Sequence, residues 1–433
     1  MALFPQEALN DGVRKREVFG WAMYDFANSG YTTVVLTAVF NAYFVGVAAD
    51  NASWATLAWT LALGLSSLVV MVSMPAIGAY ADLHAAKKRL LAISTIGCVA
   101  ATLVLAGVGQ GDIALAFVAI VVSNIFYAYG ESLTAAFLPE LAKREAMGRV
   151  SGWGWSFGYF GGMLSLGLSL GCVLWAKSED IPATEFVPVT MIITAAVYGI
   201  ASLLTFALLP ERAVAQVGVS TQGGYRESME RLAQTWRMSR AYADFSWLLA
   251  CGAAYQAGIS VVIALAAVYA EQVLGFKQTD TMMLIFLVNI AAALGAFVFG
   301  AYQDRIGHKP ALAVTLAGWI LMTLLAALAQ GPALFWVAAV IAGLCMGSSQ
   351  SAGRAMAGVF APPSRLAEFF GLWTFATRLA AIVGPVTYGL VTWLTGGNHR
   401  LAILSTALFF VAGLLLLIPL NVARGMVAAQ ARA

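Results

Sequence analysis

Apolar residues in this chain come in long unbroken runs, and polar residues gather in short clusters between them. Twelve runs can be drawn, at about 18–46, 53–80, 89–109, 113–138, 148–175, 188–209, 245–270, 280–301, 310–330, 332–357, 369–394 and 400–422. Each supplies the roughly 20 apolar residues that a helix needs to cross a hydrocarbon core about 30 Å thick. Strands of a membrane barrel would alternate apolar and polar positions over about ten residues, and these runs are longer and continuous. The expected fold class is an all-α membrane protein with twelve transmembrane helices. The first run reads as a retained span and not as a secretory leader: it is long, lacks a small-residue cleavage site and follows Arg14, Lys15 and Arg16.

The polar clusters repeat. "GAYADLHAAKKR" (Gly78 to Arg89) returns as "GAYQDRIGHK" (Gly300 to Lys309), and "FLPELAKREAMG" (Phe137 to Gly148) returns as "FAPPSRLAEFFG" (Phe360 to Gly371). The shifts are 222 and 223 residues, so several polar landmarks share one register. The pattern predicts a duplicated six-helix unit: a first half over 1–210, a linker over 211–244 and a second half over 245–433. Within the linker, Tyr225, Met229, Leu232 and Trp236 recur at helical spacing opposite charged residues, the pattern of a helix lying on a membrane surface.

Composition sharpens this reading. Of 433 residues 61% are apolar and 10% charged, far below the roughly 25% charged of a soluble domain, so lipid must solvate much of the exterior. The net charge of +3 is spread over loops and short flanks and gives no footprint for nucleic acid. An inside N-terminus places Lys87, Lys88, Arg89, Lys143, Arg144, Arg149, Arg305, Lys309, Arg365 and Arg424 on the same side. The other side keeps only Lys177, Lys277 and Arg400, so both termini are expected in the cytoplasm. The expected location is a bacterial inner membrane, with an organelle membrane such as the vacuole left open. Cys98, Cys172, Cys251 and Cys345 fall at unrelated spacings inside spans and read as packing residues. There is no nucleotide-binding loop, no metal-spaced histidine pair and no soluble motor domain. Neither an enzyme, a cofactor nor a metal is expected.

Ionisable residues inside membrane helices are costly and usually face a cavity or a partner. Those here are Asp25, Glu131, Arg354 and Arg378. At 1.5 Å per residue, Asp25 and Glu131 lie roughly 12–15 Å from the cytoplasmic ends, Gln350 roughly 12 Å, Arg378 roughly 13 Å and Gln256 about 16 Å, with Arg354 shallower. Most of this set therefore shares one layer near the bilayer midplane, with Tyr24, Asn28 and Ser29 within a turn of Asp25. An amino acid would find an ammonium partner in Asp25 or Glu131 and a carboxylate partner in Arg354 or Arg378. Other readings stay open: Asp25 as a local cap, Glu131 as the ion-pair partner of Arg354 or Arg378, and Gln256 and Gln350 as interhelical hydrogen bonds. An acid in the membrane interior can also carry a proton, which makes Asp25 and Glu131 candidates for coupling. Gly154, Gly158 and Gly162 form a flat packing seam, with sliding between helices as the alternative. Trp153, Trp155 and Trp373 read as interfacial anchors.

The loop phrases resemble the signature of the major facilitator superfamily. Within it, "GWAMYDFANSGYTT" (Gly20 to Thr33), "GWGWSFGYFGG" (Gly152 to Gly162), "FALLPER" (Phe206 to Arg212) and the run from Gly343 to Trp373 are similar to the autophagy-related vacuolar amino-acid effluxers and their bacterial relatives. The resemblance implies alternating access, a cavity lined by helices 1, 4, 7 and 10, and loops that latch the cytoplasmic side. On this sequence the latch candidates are Gly78, Asp82 and Lys87, then Gly300, Asp304, Arg305, Gly307 and Lys309. It also implies export of amino acids or similar small zwitterions, secondary active or facilitative, by a functional monomer in the lipid bilayer, with the proton as a candidate coupling ion. Two departures stand out. Leu83 and Ala85 occupy positions commonly basic and Gly, which predicts a looser first latch, and Gln256-Ala257 replaces an Asn-Asp pair. Two alternatives remain: an exporter of amphipathic solutes, lipids or drugs, and a non-transporting receptor on the same scaffold.

Overall fold

The computed structural model describes residues 4–213, 242–276 and 278–431. Lys277 and the expected linker helix around Tyr225, Met229, Leu232 and Trp236 lie outside the described residues. The first six long helices are α1 (Lys15–Ala48), α2 (Ala55–Leu83), α3 (Lys87–Leu105), α4 (Ile113–Ala135), α5 (Met147–Ser178) and α6 (Ala183–Leu208). The second six are α7 (Ala243–Leu274), α8 (Gln278–Ile306), α9 (His308–Leu328), α10 (Pro332–Phe360), α11 (Leu366–Leu394) and α12 (His399–Leu417). All twelve are long and apolar enough to cross a membrane. The apolar runs thus place the spans to within a few residues.

Two features escape the hydropathy pattern because their apolar residues are too scattered to form a run. Residues 4–13 pack down on the bundle through Phe4, Leu9 and Val13, all buried. A short final helix, α13 (Val422–Gln430), is pinned where Asp244 accepts hydrogen bonds from Arg424 Nε and Nη2, each 2.7 Å, and from the Asn421 backbone at 2.8 Å.

The end of the bundle that carries residues 4–14 also carries the α2–α3, α4–α5, α8–α9 and α10–α11 connections, and hence most loop Lys and Arg residues. It is called the basic end below. In the first half α1 packs on α5 and α6, and α3 on α4. In the second half α8 packs on α10, and α7 on α11 and α12. Two seams join the halves, α2 against α11 and α5 against α8.

The closest backbone approaches along those seams lie at one end. A Cβ at Gly78 or Gly152 would run into the carbonyl of Ala367 or Ala296, and one at Gly371 would come within 2.8 Å of the Met74 carbonyl. Towards the other end of the same helices, Gly64, Gly167, Gly171 and Gly389 have nothing within 4 Å. The halves therefore make their tightest backbone contacts at the basic end, and no such contact is made at those glycines towards the opposite one.

The glycine seam of α5 serves the first half internally. A Cβ at Gly158 would stand 2.8 Å from Ser29 Oγ, one at Gly162 would stand 2.8 Å from Thr33 Oγ1, and one at Gly161 would collide with the Phe26 carbonyl. Contact between the halves falls to Gly148 and Gly152 on another face of the helix, and to Gly154 at the start of the seam, which lies against Arg354. Gly161→Val should lower stability by about 1–3 kcal/mol through overpacking, while Gly167→Val should leave it within about 0.5 kcal/mol of wild type. Thermal unfolding of the purified variants checks the contrast.

Candidate functional site

The contacts between the halves form three tiers rising from the basic end. The first is made by aspartates at the ends of α2 and α8. A helix starts with up to four backbone N–H groups that have no partner inside it. Neither α5 nor α11 receives a side-chain hydrogen bond from its own N-cap residue, Ala146 or Arg365. The opposite half supplies the cap: Asp304 accepts from Gly148 and Arg149 N–H, both 2.9 Å, and Asp82 accepts from Ala367 and Glu368 N–H at 3.0 and 2.9 Å.

At their aspartates the two loop copies make the same pair of backbone hydrogen bonds, so the expected looseness of the first latch does not show there. Leu83 does not weaken it, because the carboxylate bonds to backbone. Ala85 does depart from its counterpart in cost, since it holds φ +50°, where Gly307 holds φ +94° without the Cβ penalty. The basic residues of the two copies diverge. Lys87 is buried and pairs with Glu140 of its own half. Lys309 donates to the Ile418 and Leu420 carbonyls at 2.6 and 2.9 Å, closing the end of α12. Arg305 is exposed.

The second tier is centred on Arg354. Its Nη1 donates to Asp25 Oδ2 at 2.7 Å, Nε to Ser151 Oγ at 3.1 Å and Nη2 to the Ser151 carbonyl at 2.8 Å. The guanidinium lies 4.9 Å from the Trp21 ring centre and 5.2 Å from that of Trp155, so cation–π attraction adds to the ion pair. Arg354 and Asp25 are 7% and 12% exposed, so this charge pair between α1 and α10 is shut off from solvent. Gly154 makes the room: a Cβ there would stand 2.5 Å from Arg354 Nη2 and 2.6 Å from Trp21. Ser151 in turn donates to the Ser351 carbonyl at 2.9 Å, and Ser156 to the Ala293 carbonyl at 2.9 Å.

The third tier joins α4 to α11. Ser132 donates to the Phe370 carbonyl at 3.2 Å, and Thr374 to Ser132 Oγ at 2.8 Å. Just beyond them Arg378 Nη2 donates to Glu131 Oε2 at 2.8 Å. Here the pair is open to one side: the Glu131 side chain is 38% exposed and that of Arg378 16%. Among the described residues the buried Arg378 Nε has no hydrogen-bond partner, and the guanidinium lies 5.9 Å from the Tyr127 ring, which stacks on Tyr31 at 5.2 Å. Among the described residues, no hydrogen bond between the halves lies further from the basic end on α4 and α11 than Glu131–Arg378.

The remaining candidates do not join these tiers. Tyr24 and Asn28 turn towards α3 and α6: Tyr24 Oη is 3.1 Å from Thr95 Oγ1 and 3.2 Å from Tyr198 Oη, and Tyr198 donates to Asn28 Oδ1 at 2.9 Å. They tie α1 into the first half and do not complete a pocket around Asp25. Gln256 Nε2 donates to Gln350 Oε1 at 2.6 Å, a bond inside the second half. Asp25 is not a local cap, and the partner of Glu131 is Arg378. Sequence reasoning missed Ser151, Trp21, Trp155 and Tyr127. The three tryptophans read as interfacial anchors are packed inside the protein instead: Trp153 and Trp373 are buried, and Trp155 backs Arg354. The signal that could have found Tyr127 is its place one helical turn before Glu131.

The chain matches the family described as vacuole effluxer Atg22-like over residues 41–430. It belongs to that family. The match starts within α1, beyond the stretch that holds Asp25. The uncharacterized MFS-type transporter YxiO of Bacillus subtilis (strain 168) is 26% identical over 404 residues, which cover 92% of this chain and 93% of that protein. Autophagy-related protein 22 of Cryptococcus neoformans is 29% identical over 147 residues, 30% of this chain and 27% of that one. Among solved structures, the human organic anion transporter MFSD10 superposes with a TM-score of 0.71 at 16% identity, covering 93% of this chain and 99% of that chain. The proton:xylose symporter XylE gives 0.70 at 15% identity, covering 92% and 94%. At these identities the structures show the fold alone. Fold and relatives together make the chain a multi-pass membrane transporter of the major facilitator superfamily, not an enzyme.

Removing one member of a buried ion pair strands the other, typically at a cost of about 3–5 kcal/mol. Asp25→Asn and Arg354→Gln should each destabilise the protein strongly, and the double variant should lose less than the sum by more than about 1 kcal/mol. Unfolding midpoints of the four proteins in a double-mutant cycle measure this coupling; additive losses would mean that the pair does not act as one unit.

Proposed function

We propose that this transporter exports amino acids or similar small zwitterions by alternating access, with Glu131 and Arg378 as its recognition pair. The observation that carries the proposal is the third tier. An acid and a base from opposite halves face each other where the halves begin to part, half-open to solvent, with one guanidinium N–H unused. A zwitterion brings both charges of such a pair. Its carboxylate can take the fork of Arg378, and its ammonium can take Glu131 beside the Tyr127 ring. Each charge of the protein then keeps a counter-charge while the direct tie between the halves is gone. When the solute leaves, Glu131 and Arg378 close on each other again, so the empty carrier is not left with two stranded charges.

The second tier supports a different role for Asp25 and Arg354. Arg354 already spends donors on Asp25 and Ser151 and is enclosed by two indoles, so it acts as a bolt beneath the recognition pair. The basic end carries nearly all loop cations, which supports placing it and both termini in the cytoplasm. In that orientation the bundle is closed inward and open outward. Asp82 and Asp304 serve as the latch of that closed face, and Asp25 is the candidate proton site. A second reading is export of amphipathic organic solutes. It draws on Gln256 and Gln350, whose amides bond to each other and leave the second-half wall less polar.

Proteoliposomes loaded with a panel of labelled amino acids test the reading. At least one should leave faster than from empty-membrane controls, and the absence of flux for all would sink the substrate class. Arg378→Ala should cut that flux at least about 100-fold while the protein still purifies folded, because the carboxylate loses its buried partner. Asp25→Asn should flatten any pH dependence of the flux; an unchanged pH profile rejects Asp25 as the proton site.

A further inference from the structure

We propose that residues 4–13 form a strap that braces the closed basic end, and that loosening the strap shifts the transporter towards the conformation open at that end. The segment is held at several points. Leu9 pairs with Ala142 in a short antiparallel bridge, in which Asn10 N–H donates to the Leu141 carbonyl and Lys143 N–H to the Ala8 carbonyl, each 3.0 Å. Asn10 Nδ2 donates to the Pro139 carbonyl at 3.0 Å. Phe4 is buried against α5, its ring 5.0 Å from that of Trp153 and 6.1 Å from that of Phe157. Leu9 and Val13 are buried as well. At its far end the strap accepts from Arg212, which donates to the Gly12 carbonyl at 3.1 Å and to Glu17 at 2.5 Å. Arg212 stands just after α6, where the chain leaves the first half.

The strap grips the α4–α5 connection, which is the docking platform for the second half. The platform holds only two isolated helical turns, Leu138–Leu141 and Arg144–Ala146, so little inside it fixes its shape. Glu140 on it pairs with Lys87, and Pro139 and Met147 pack under Gly358 of α10, 3.1 and 3.5 Å from where a Cβ would stand. Gly148 and Arg149, which immediately follow, give their N–H groups to Asp304. Without the strap, the Pro139 and Leu141 carbonyls and the Lys143 N–H lose their partners, and the segment that must present α5 to Asp304 is free to shift. That loss weakens docking of the halves, which exists only when the basic end is closed, so the open conformation gains in population.

The strap contacts neither Glu131 nor Arg378, and the inference stands whether or not the substrate is a zwitterion. Its test is the accessibility of a buried seam position. Ser351 is 1% exposed at the basic-end seam, its Oγ 3.5 Å from the Gly148 carbonyl. The protein carrying Ser351→Cys is treated in detergent with a hydrophilic maleimide, with and without Phe4→Ala and Leu9→Ala together. The partly exposed Cys172 is replaced by Ser throughout, so that it adds no background. The loosened strap should speed labelling of the introduced thiol by at least about five-fold. The native Cys98 and Cys251, both fully buried within single halves, report on unfolding and should stay unlabelled. Equal labelling rates of the introduced thiol with and without the strap changes would overturn the proposal. So would faster labelling that extends to Cys98 and Cys251, because the strap would then be a general stabiliser. Should the double change prevent folding, Asn10→Ala alone, which removes the bond to Pro139, is expected to give a smaller rise confined to the introduced thiol, and no rise there refutes the brace.

Discussion

Two helices in this protein begin without caps of their own, and the carboxylates that complete them belong to the other half. Asp304 caps α5 and Asp82 caps α11, each with two backbone hydrogen bonds. Parting the halves at the basic end must uncap both helices, and a cap is worth about 0.5–2 kcal/mol. Such contacts hold one conformation firmly enough to populate it and weakly enough to release it. They also fix the register, because a carboxylate that must meet two adjacent N–H groups tolerates little sliding. Glycines at the same level, Gly78 and Gly152, let backbone touch backbone so that the aspartates can reach.

Above these caps the seam changes character in order. Arg354 and Asp25 are enclosed by Trp21, Trp155 and Ser151, with no room for a solute in this conformation. Glu131 and Arg378 lie beyond them, where the halves separate, and are the last charges that a departing solute leaves. In the proposed export cycle the outer pair closes as the solute leaves, the inner bolt parts next, and the helix caps break last, which opens the basic end to the next solute. The strap sets how easily that last step occurs, since it shapes the platform from which α5 is capped.

Much of this was legible in the sequence, and the parts that were not share a physical cause. Span number and approximate bounds follow from hydropathy, because lipid admits few other ways to satisfy a backbone. The layer of Asp25, Glu131, Arg354 and Arg378 was also visible, since charge in a membrane helix demands a partner. Which acid meets which base was not, because pairing depends on the rotation of four helices from different parts of the chain. Tyr24 and Asn28 sit close to Asp25 in sequence yet point into the first half, a difference of helix face that a short motif does not encode. Trp155 was misread because a tryptophan near a helix end has the same signature whether it meets a headgroup or a guanidinium. The strap was invisible for the opposite reason: Phe4, Leu9 and Val13 are too sparse for any periodic pattern, and only tertiary packing gives them a role.

The central claim is that the caps donated in trans hold the basic end shut. Spin labels at Arg89→Cys and Pro363→Cys, both exposed and on opposite halves at that end, report the separation directly. With Asp82 and Asp304 intact the distance distribution should be dominated by one short population. Asp82→Asn and Asp304→Asn together should transfer a substantial fraction to a longer distance. An unchanged distribution in the doubly substituted protein would contradict the account.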